Sequence, residues 1–279
     1  MVSRFGLIML IVMPMCATAD ELSCPVAMLQ IAQAQTKGSP WDLTEPVELN
    51  NRGEELRKKG EYDEAIKEYT EAIRLNPLFT WPLNNRGLAW LDKGEFEKAI
   101  NDFNEAIRLD PKYTFPLNNR ALVWMKKKEF DKAIADCSAA IQLDPKYVLA
   151  FRNRGDAWDA KGEFGKAIAD YAEAIQLEPN VAAPYNSIAW IRATCHDDRF
   201  RAGKEAIQFA TKACELTDWK GFSELDTLAA AYAEAGEFTT AVIWETTALE
   251  KAPEQEKQAF EARLQLYRAD LAYRQDLKR

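Results

Sequence analysis

Residues 84–111 read NNRGLAWLDKGEFEKAINDFNEAIRLDP, and residues 118–145 read NNRALVWMKKKEFDKAIADCSAAIQLDP. The second stretch begins 34 residues after the first (118 − 84), and the same offset continues in both directions. Proline recurs at Pro77, Pro111, Pro145 and Pro179. In the same register stand Gly53, Gly87, Ala121 and Gly155, then Leu56, Trp90, Trp124 and Trp158. Tyr62, Phe96, Phe130 and Phe164 follow, and after them Ala65, Ala99, Ala133 and Ala167. Tyr69, Phe103, Cys137 and Tyr171 lead to Ala72, Ala106, Ala140 and Ala174. A fixed period of this length over several copies means stacked supersecondary units.

Each recurring position has a mechanical reason. Small residues at the Gly87 and Ala99 positions let two helices of a hairpin approach closely, and Trp90, Trp124 and Trp158 are expected to be buried beside them. Gly60, Gly94 and Gly162 fall where a first helix must end, because glycine accepts the left-handed geometry past a helix C-terminus. The prolines follow the second helix, which they cannot continue. Ala-Ile pairs seven residues apart (Ala65-Ile66, Ala72-Ile73 and their equivalents) mark that helix's buried stripe. Glu61, Glu95, Glu129 and Glu163 share one inter-helix turn, where a carboxylate favours the positive end of the next helix.

The pattern resembles the tetratricopeptide-repeat family over residues 46–253. The resemblance implies an all-α, right-handed superhelix of six helical hairpins with a C-terminal capping helix. The repeats are expected at 46–79, 80–113, 114–147, 148–181, 182–221 and 222–253, and the cap at 254–279. Pro184 and Asn186 match Pro82 and Asn84, so a fifth repeat starts near Ala182. Its second helix is delayed by an insertion around Cys195-His-Asp-Asp-Arg-Phe-Arg201. The stretch from Ala193 to Tyr232 resembles a C-terminal module of many bacterial repeat proteins. Residues 20–45 stand outside the repeat, with a short apolar helix expected over Pro25–Gln35 and a linker at Lys37-Gly-Ser-Pro40.

In this family the first helix of each repeat lines a concave groove. Carried onto this chain, the groove positions hold Asn51, Asn85, Asn119 and Asn153, with Trp81 and Phe115 near the helix starts. Leu88, Leu91, Leu122 and Met125 give an apolar centre, and Asp156 and Asp159 add negative charge at one end. An apolar strip rimmed by polar groups marks a partner site. The asparagines can pair with an extended peptide backbone or satisfy local groups, and both roles stay open. The partner expected is another protein's segment with apolar side chains next to a basic residue. The lysine and asparagine clamp that some relatives use for a terminal carboxylate is absent, since those positions carry Asn84 and Leu88, or Asn118 and Leu122.

Composition narrows the classes further. The chain has 279 residues, 47% of them hydrophobic, and a formal net charge of −8. An acidic surface repels phosphate backbones, so nucleic acid is not an expected partner. Arg4, an apolar run from Phe5 to Met15 and Ala17-Thr-Ala19 read as a signal peptide over residues 1–19 with cleavage after Ala19. The run is too short to span a membrane, which takes about 20 residues. Export to a periplasmic or extracellular location follows, so the mature chain would carry −9 (Lys+Arg 35 against Asp+Glu 44). Cys24, Cys137, Cys195 and Cys214 remain and are expected as buried or lone thiols. His196 is the sole histidine. No phosphate loop, nucleophile motif or metal-ligand spacing occurs, so no enzyme activity, cofactor or metal is expected. Two roles remain: an exported interaction scaffold, or a self-associating structural protein whose groove its own N-terminal segment or a second subunit fills.

Overall fold

A computed structural model describes residues 44–275. The expected leader, the helix at 25–35, the linker and Cys24 lie outside the described residues. Among the described residues there are thirteen α-helices, one 3-10 turn and no strand. The chain divides into two compact units, one through Ala89 and one from Trp90 onward.

The first unit contains α1 (Thr44–Lys58), α2 (Tyr62–Leu75) and the first three turns of α3 (Thr80–Asp92). Gly53 has no room for a side chain: a Cβ there would lie 2.6 Å from the Tyr69 ring. Tyr69 itself is fully buried. The glycine therefore sets how closely α1 and α2 pack.

The second unit continues with α4 (Phe96–Leu109), α5 (Thr114–Lys126), α6 (Phe130–Leu143), α7 (Val148–Ala160) and α8 (Phe164–Leu177). After these come α9 (Ala182–Thr194), α10 (Gly203–Leu216), α11 (Phe222–Glu234), α12 (Phe238–Lys251) and α13 (Glu254–Arg268). In α4 the buried residues Ala99, Ile100, Phe103 and Ala106 follow helical spacing and form one stripe. The equivalent alanines of α6 and α8, Ala133, Ala140, Ala167 and Ala174, are fully buried too. The second helices α2, α4 and α6 end on Asn76, Asp110 and Asp144, each before proline. Asp110 and Asp144 accept hydrogen bonds from the backbone N–H of Lys112 (3.0 Å) and Lys146 (2.9 Å), which forms the turn into the next helix.

Gly60, Gly94 and Gly162 adopt φ of 81°, 79° and 77°, as expected of residues just past a helix, and Gly236 joins them at 82°. At the equivalent place in the third hairpin the chain has Lys128, with φ 60°.

The tryptophans depart from expectation. Trp90, Trp124 and Trp158 are half-buried, not enclosed. Each lies under two lysines, with Lys98, Lys132 and Lys166 Nζ at 4.5, 4.4 and 4.4 Å from the ring centroids. A ring with one outward face gains from a cation above it, and the lysine stems cover apolar surface that the helices leave open. The Trp124 Nε1–H donates to Asp136 at 3.0 Å.

Arginines just before the small-residue position tie the hairpins together. Arg120 bonds Asp136 through two nitrogens (2.8 and 2.5 Å) and reaches Asn104 in the preceding hairpin. Arg154 repeats this with Asp170 (2.8 and 2.7 Å) and Ser138 (3.1 Å). Lys127 pairs with Glu97 and Lys161 with Asp131, again one hairpin back.

α13 covers the end of the stack, burying Phe260, Leu264 and Tyr267. With it comes a buried ionic group. Arg263 Nε meets Asp226 at 2.6 Å and Glu245 at 3.6 Å, and Glu245 is fully buried. Burial, then the negative charge of Asp226, pushes the Glu245 carboxyl up to about 10, against the pull of Arg263. Glu245 is therefore protonated at neutral pH, and burial raises the Asp226 carboxyl as well, against the pull of Arg263.

Candidate functional site

The residues proposed for the groove fall in both units. Asn51, Trp81, Asn85 and Leu88 belong to the first. Trp81 is half-buried, its ring 6.1 Å from that of Phe79. The Asn85 amide donates to the Asn50 side chain at 2.9 Å.

In the second unit the structure gathers Leu91, Leu122, Met125, Asn153 and Asp156 around one cleft of about 400 Å³. Asp92 and Lys126 complete its lining, and sequence reasoning missed both. They stand one position beyond Leu91 and Met125, at the ends of α3 and α5, on the thirteenth place of their repeats (80 and 114 taken as the first), a groove position whose residues the sequence reading did not name. The apolar side chains come from successive first helices, α3 and α5, and Met125 also packs against the buried alanine cluster around Ala121 one turn back. Three apolar side chains thus line a recess whose rim carries two carboxylates and one ammonium.

Asp156 is held in place. The Tyr171 hydroxyl, its ring buried, donates to Asp156 Oδ1 at 2.8 Å. Burial raises the Asp156 carboxyl above its ordinary range, while the Tyr171 bond and the Arg152 charge oppose the rise.

Asn119 and Asn153 are buried, Asn153 to 3% exposure. The Asn153 amide donates to Asn118 Oδ1 at 2.7 Å, 35 residues back. Asn85 and Asn50 show the same spacing (85 − 50), so these asparagines link neighbouring first helices. For Asn85 and Asn153 these contacts lie within the stack. Phe115 is 49% exposed and is not among the residues lining the cleft. Its ring lies 5.6 Å from Tyr113 and 5.5 Å from Tyr147, in a row of aromatics at the turns between hairpins. Asp159, half-buried, also lies outside the cleft lining.

The remaining chemically versatile residues take structural places. Cys137, Cys195 and Cys214 are buried thiols, and burial pushes Cys137 and Cys214 up to about 12. The His196 ring meets Phe164 edge-on at 5.5 Å. Asp197 accepts from the Arg199 backbone N–H and caps the 3-10 turn Asp198–Phe200. No helix among the described residues is long and apolar enough to cross a membrane.

Three family models describing tetratricopeptide repeats match the chain. One matches residues 53–94, a second residues 81–113 and 116–147, and a third residues 148–181. A search of curated proteins finds no match. Among solved structures, the crystal structure of MamA is 27% identical with a TM-score of 0.52, over 60% of this chain and 95% of that one. MamA 41-end from Desulfovibrio magneticus RS-1 is 21% identical with a TM-score of 0.53, over 63% of this chain and 96% of that one, and shows the fold alone. Residues 53–181 carry tetratricopeptide repeats, within an all-helical chain of consecutive hairpins.

Proposed function

We propose that this repeat-bearing chain is a protein-interaction scaffold that holds an apolar side chain and an adjacent basic residue of another polypeptide in the cleft of α3, α5 and α7. The observation that carries the reading is the grouping of Leu91, Leu122 and Met125 beside Asp92 and Asp156. An apolar recess desolvates the anchor, and the carboxylates select a cation beside it. A leader over residues 1–19 makes the scaffold an exported one, a reading that rests on Arg4, the apolar run and Ala17-Thr-Ala19.

The test is a peptide array probed with the purified chain. Enrichment of peptides pairing an apolar residue with Lys or Arg is the expected result, with binding lost in the Leu122→Ser, Met125→Ser double variant. Unchanged binding in a variant whose circular dichroism matches the parent sinks the proposal. Acidification supplies a second check. A basic ligand needs Asp156 ionised, and its raised pKa brings protonation on earlier than for an ordinary aspartate. Affinity should fall as pH drops below neutral, and Asp156→Asn should bind weakly with a flatter pH profile. An unaltered profile in that variant removes Asp156 from the site.

A further inference from the structure

The last described residues do not trail into solvent. α13 ends at Arg268, Asp270 turns left-handed at φ 56°, and the Leu271 N–H returns to the Leu266 carbonyl at 2.9 Å. This turn sends residues 271–275 back along the stack onto α9 and α11. Trp190 and Thr194 of α9, and Glu234 of α11, occupy the same places on their first helices as the groove residues of earlier hairpins.

The contacts have the form of peptide recognition. The Gln275 backbone N–H donates to the Thr194 carbonyl at 2.8 Å, at the end of α9 where helix carbonyls lack partners of their own. The Trp190 Nε1–H donates to Gln275 Oε1 at 2.9 Å. The Tyr273 ring lies 5.9 Å from Trp190, and Arg274 pairs with Glu234 at 2.7 Å. Arg201, from the insertion after α9, bonds the same carboxylate at 3.2 Å and fixes it toward the tail. One backbone bond, one aromatic seat, one ion pair and one amide contact thus read an aromatic–basic–glutamine sequence.

We infer that the face built by Trp190, Thr194 and Glu234 is a second peptide-binding site, occupied in cis by Tyr273-Arg274-Gln275. In trans it takes an extended segment of another polypeptide with an aromatic residue followed by a basic one. Of the tail's apolar side chains, Ala272 and Tyr273 pack against the core while staying only partly buried. Leu271 is 55% exposed and Arg274 is exposed, whereas the residues that anchor α13, Phe260, Leu264 and Tyr267, are buried further back along the chain. Segments with few buried apolar contacts open without the core. This site is separate from the cleft of α3, α5 and α7, and either can fail without the other.

The experiment uses the full chain and a fluorescent peptide of residues 270–279. A tethered tail competes at a high effective concentration, so the unmodified chain should bind the peptide weakly. The full chain carrying Tyr273→Ala and Arg274→Ala should bind at least about tenfold more tightly, because the cis competitor is gone. Adding Glu234→Ala should abolish that gain, and a peptide with Arg274→Glu should not bind. Should the double variant lose its helical circular dichroism, Arg274→Ala alone changes one exposed side chain and should still tighten binding at least about threefold. Equal affinity for the unmodified and tail-substituted chains overturns the inference. So does the absence of binding to a folded variant, or indifference to the peptide's arginine.

Discussion

Lys128 has a backbone angle that L-residues avoid. Its φ of 60° matches the place where Gly60, Gly94, Gly162 and Gly236 end their first helices. A left-handed non-glycine costs about 1–2 kcal/mol, and glycine's extra freedom in the unfolded chain gives back about 0.5–1 kcal/mol. Lys128→Gly should therefore stabilise the protein by about 0.5–1 kcal/mol in urea denaturation, and destabilisation would show that the lysine side chain matters more than its backbone. The glycines were legible because their chemistry announces the angle. Lys128 was not, since the repeat imposes the angle regardless of the residue. Glu245 is a second case. It stands at the twenty-fourth position of its repeat (222 taken as the first), where the first repeat has Tyr69 and the fourth Tyr171. The slot is fully buried, and its pKa of about 10 lies well above the usual 4.5. The folded state thus holds a proton that the unfolded state releases between those values. Its stability contribution is whole below about 4.5 and declines as pH rises toward 10, by at most about 1.4 kcal/mol per unit. Glu245→Gln should flatten the loss of stability between pH 6 and 9. Parallel curves for the two proteins would mean that Glu245 is ionised in the fold.

Between helices, the packing divides into what small residues permit and what polar pairs specify. The alanine stripe and the glycine against Tyr69 were readable from the period, because only volume is at stake there. The polar ties were not, because each joins residues of different repeats: Asn118 with Asn153, Arg154 with Ser138, Lys161 with Asp131. Periodicity gives the position of a residue but not its partner one repeat away. The buried Asn118–Asn153 bond should be worth more to lose than to replace. Either asparagine changed to alanine leaves the other amide unpaired, at about 1–3 kcal/mol. A double-mutant cycle should show about 1 kcal/mol of coupling, and strict additivity would deny the tie. Trp124 was expected in a closed core, where removal costs about 3–5 kcal/mol. Half-buried beneath Lys132, with Asp136 still held by Arg120, its replacement by alanine should cost less, about 2–3 kcal/mol. A larger loss in thermal denaturation would restore the enclosed reading.

At the scale of the whole molecule, the consecutive helical hairpins were written in the 34-residue period, while the cleft was legible only in part. The apolar members Leu91, Leu122 and Met125 follow from their groove positions, whereas Asp92 and Lys126 hold the next groove position of the same helices, where the apolar signal that marked the others stops. Nothing in the chain pairs Gln275 with Trp190, 85 residues apart, so the tail's seat emerges only in three dimensions. The ties between hairpins have a further consequence. A second copy of residues 114–147 placed after Tyr147 finds every partner it needs. Its Asn119 faces Asn118 as Asn153 does, its Arg120 meets Ser138 as Arg154 does, and its Lys127 meets Asp131 as Lys161 does. The lengthened protein should fold, gaining the 13 and 14 helical residues of α5 and α6 in circular dichroism. Loss of cooperative unfolding would show that the joints are not interchangeable. Where every joint accepts every neighbour, unequal recombination within the gene extends or trims the stack without a misfit, and length becomes a trait on which selection can act.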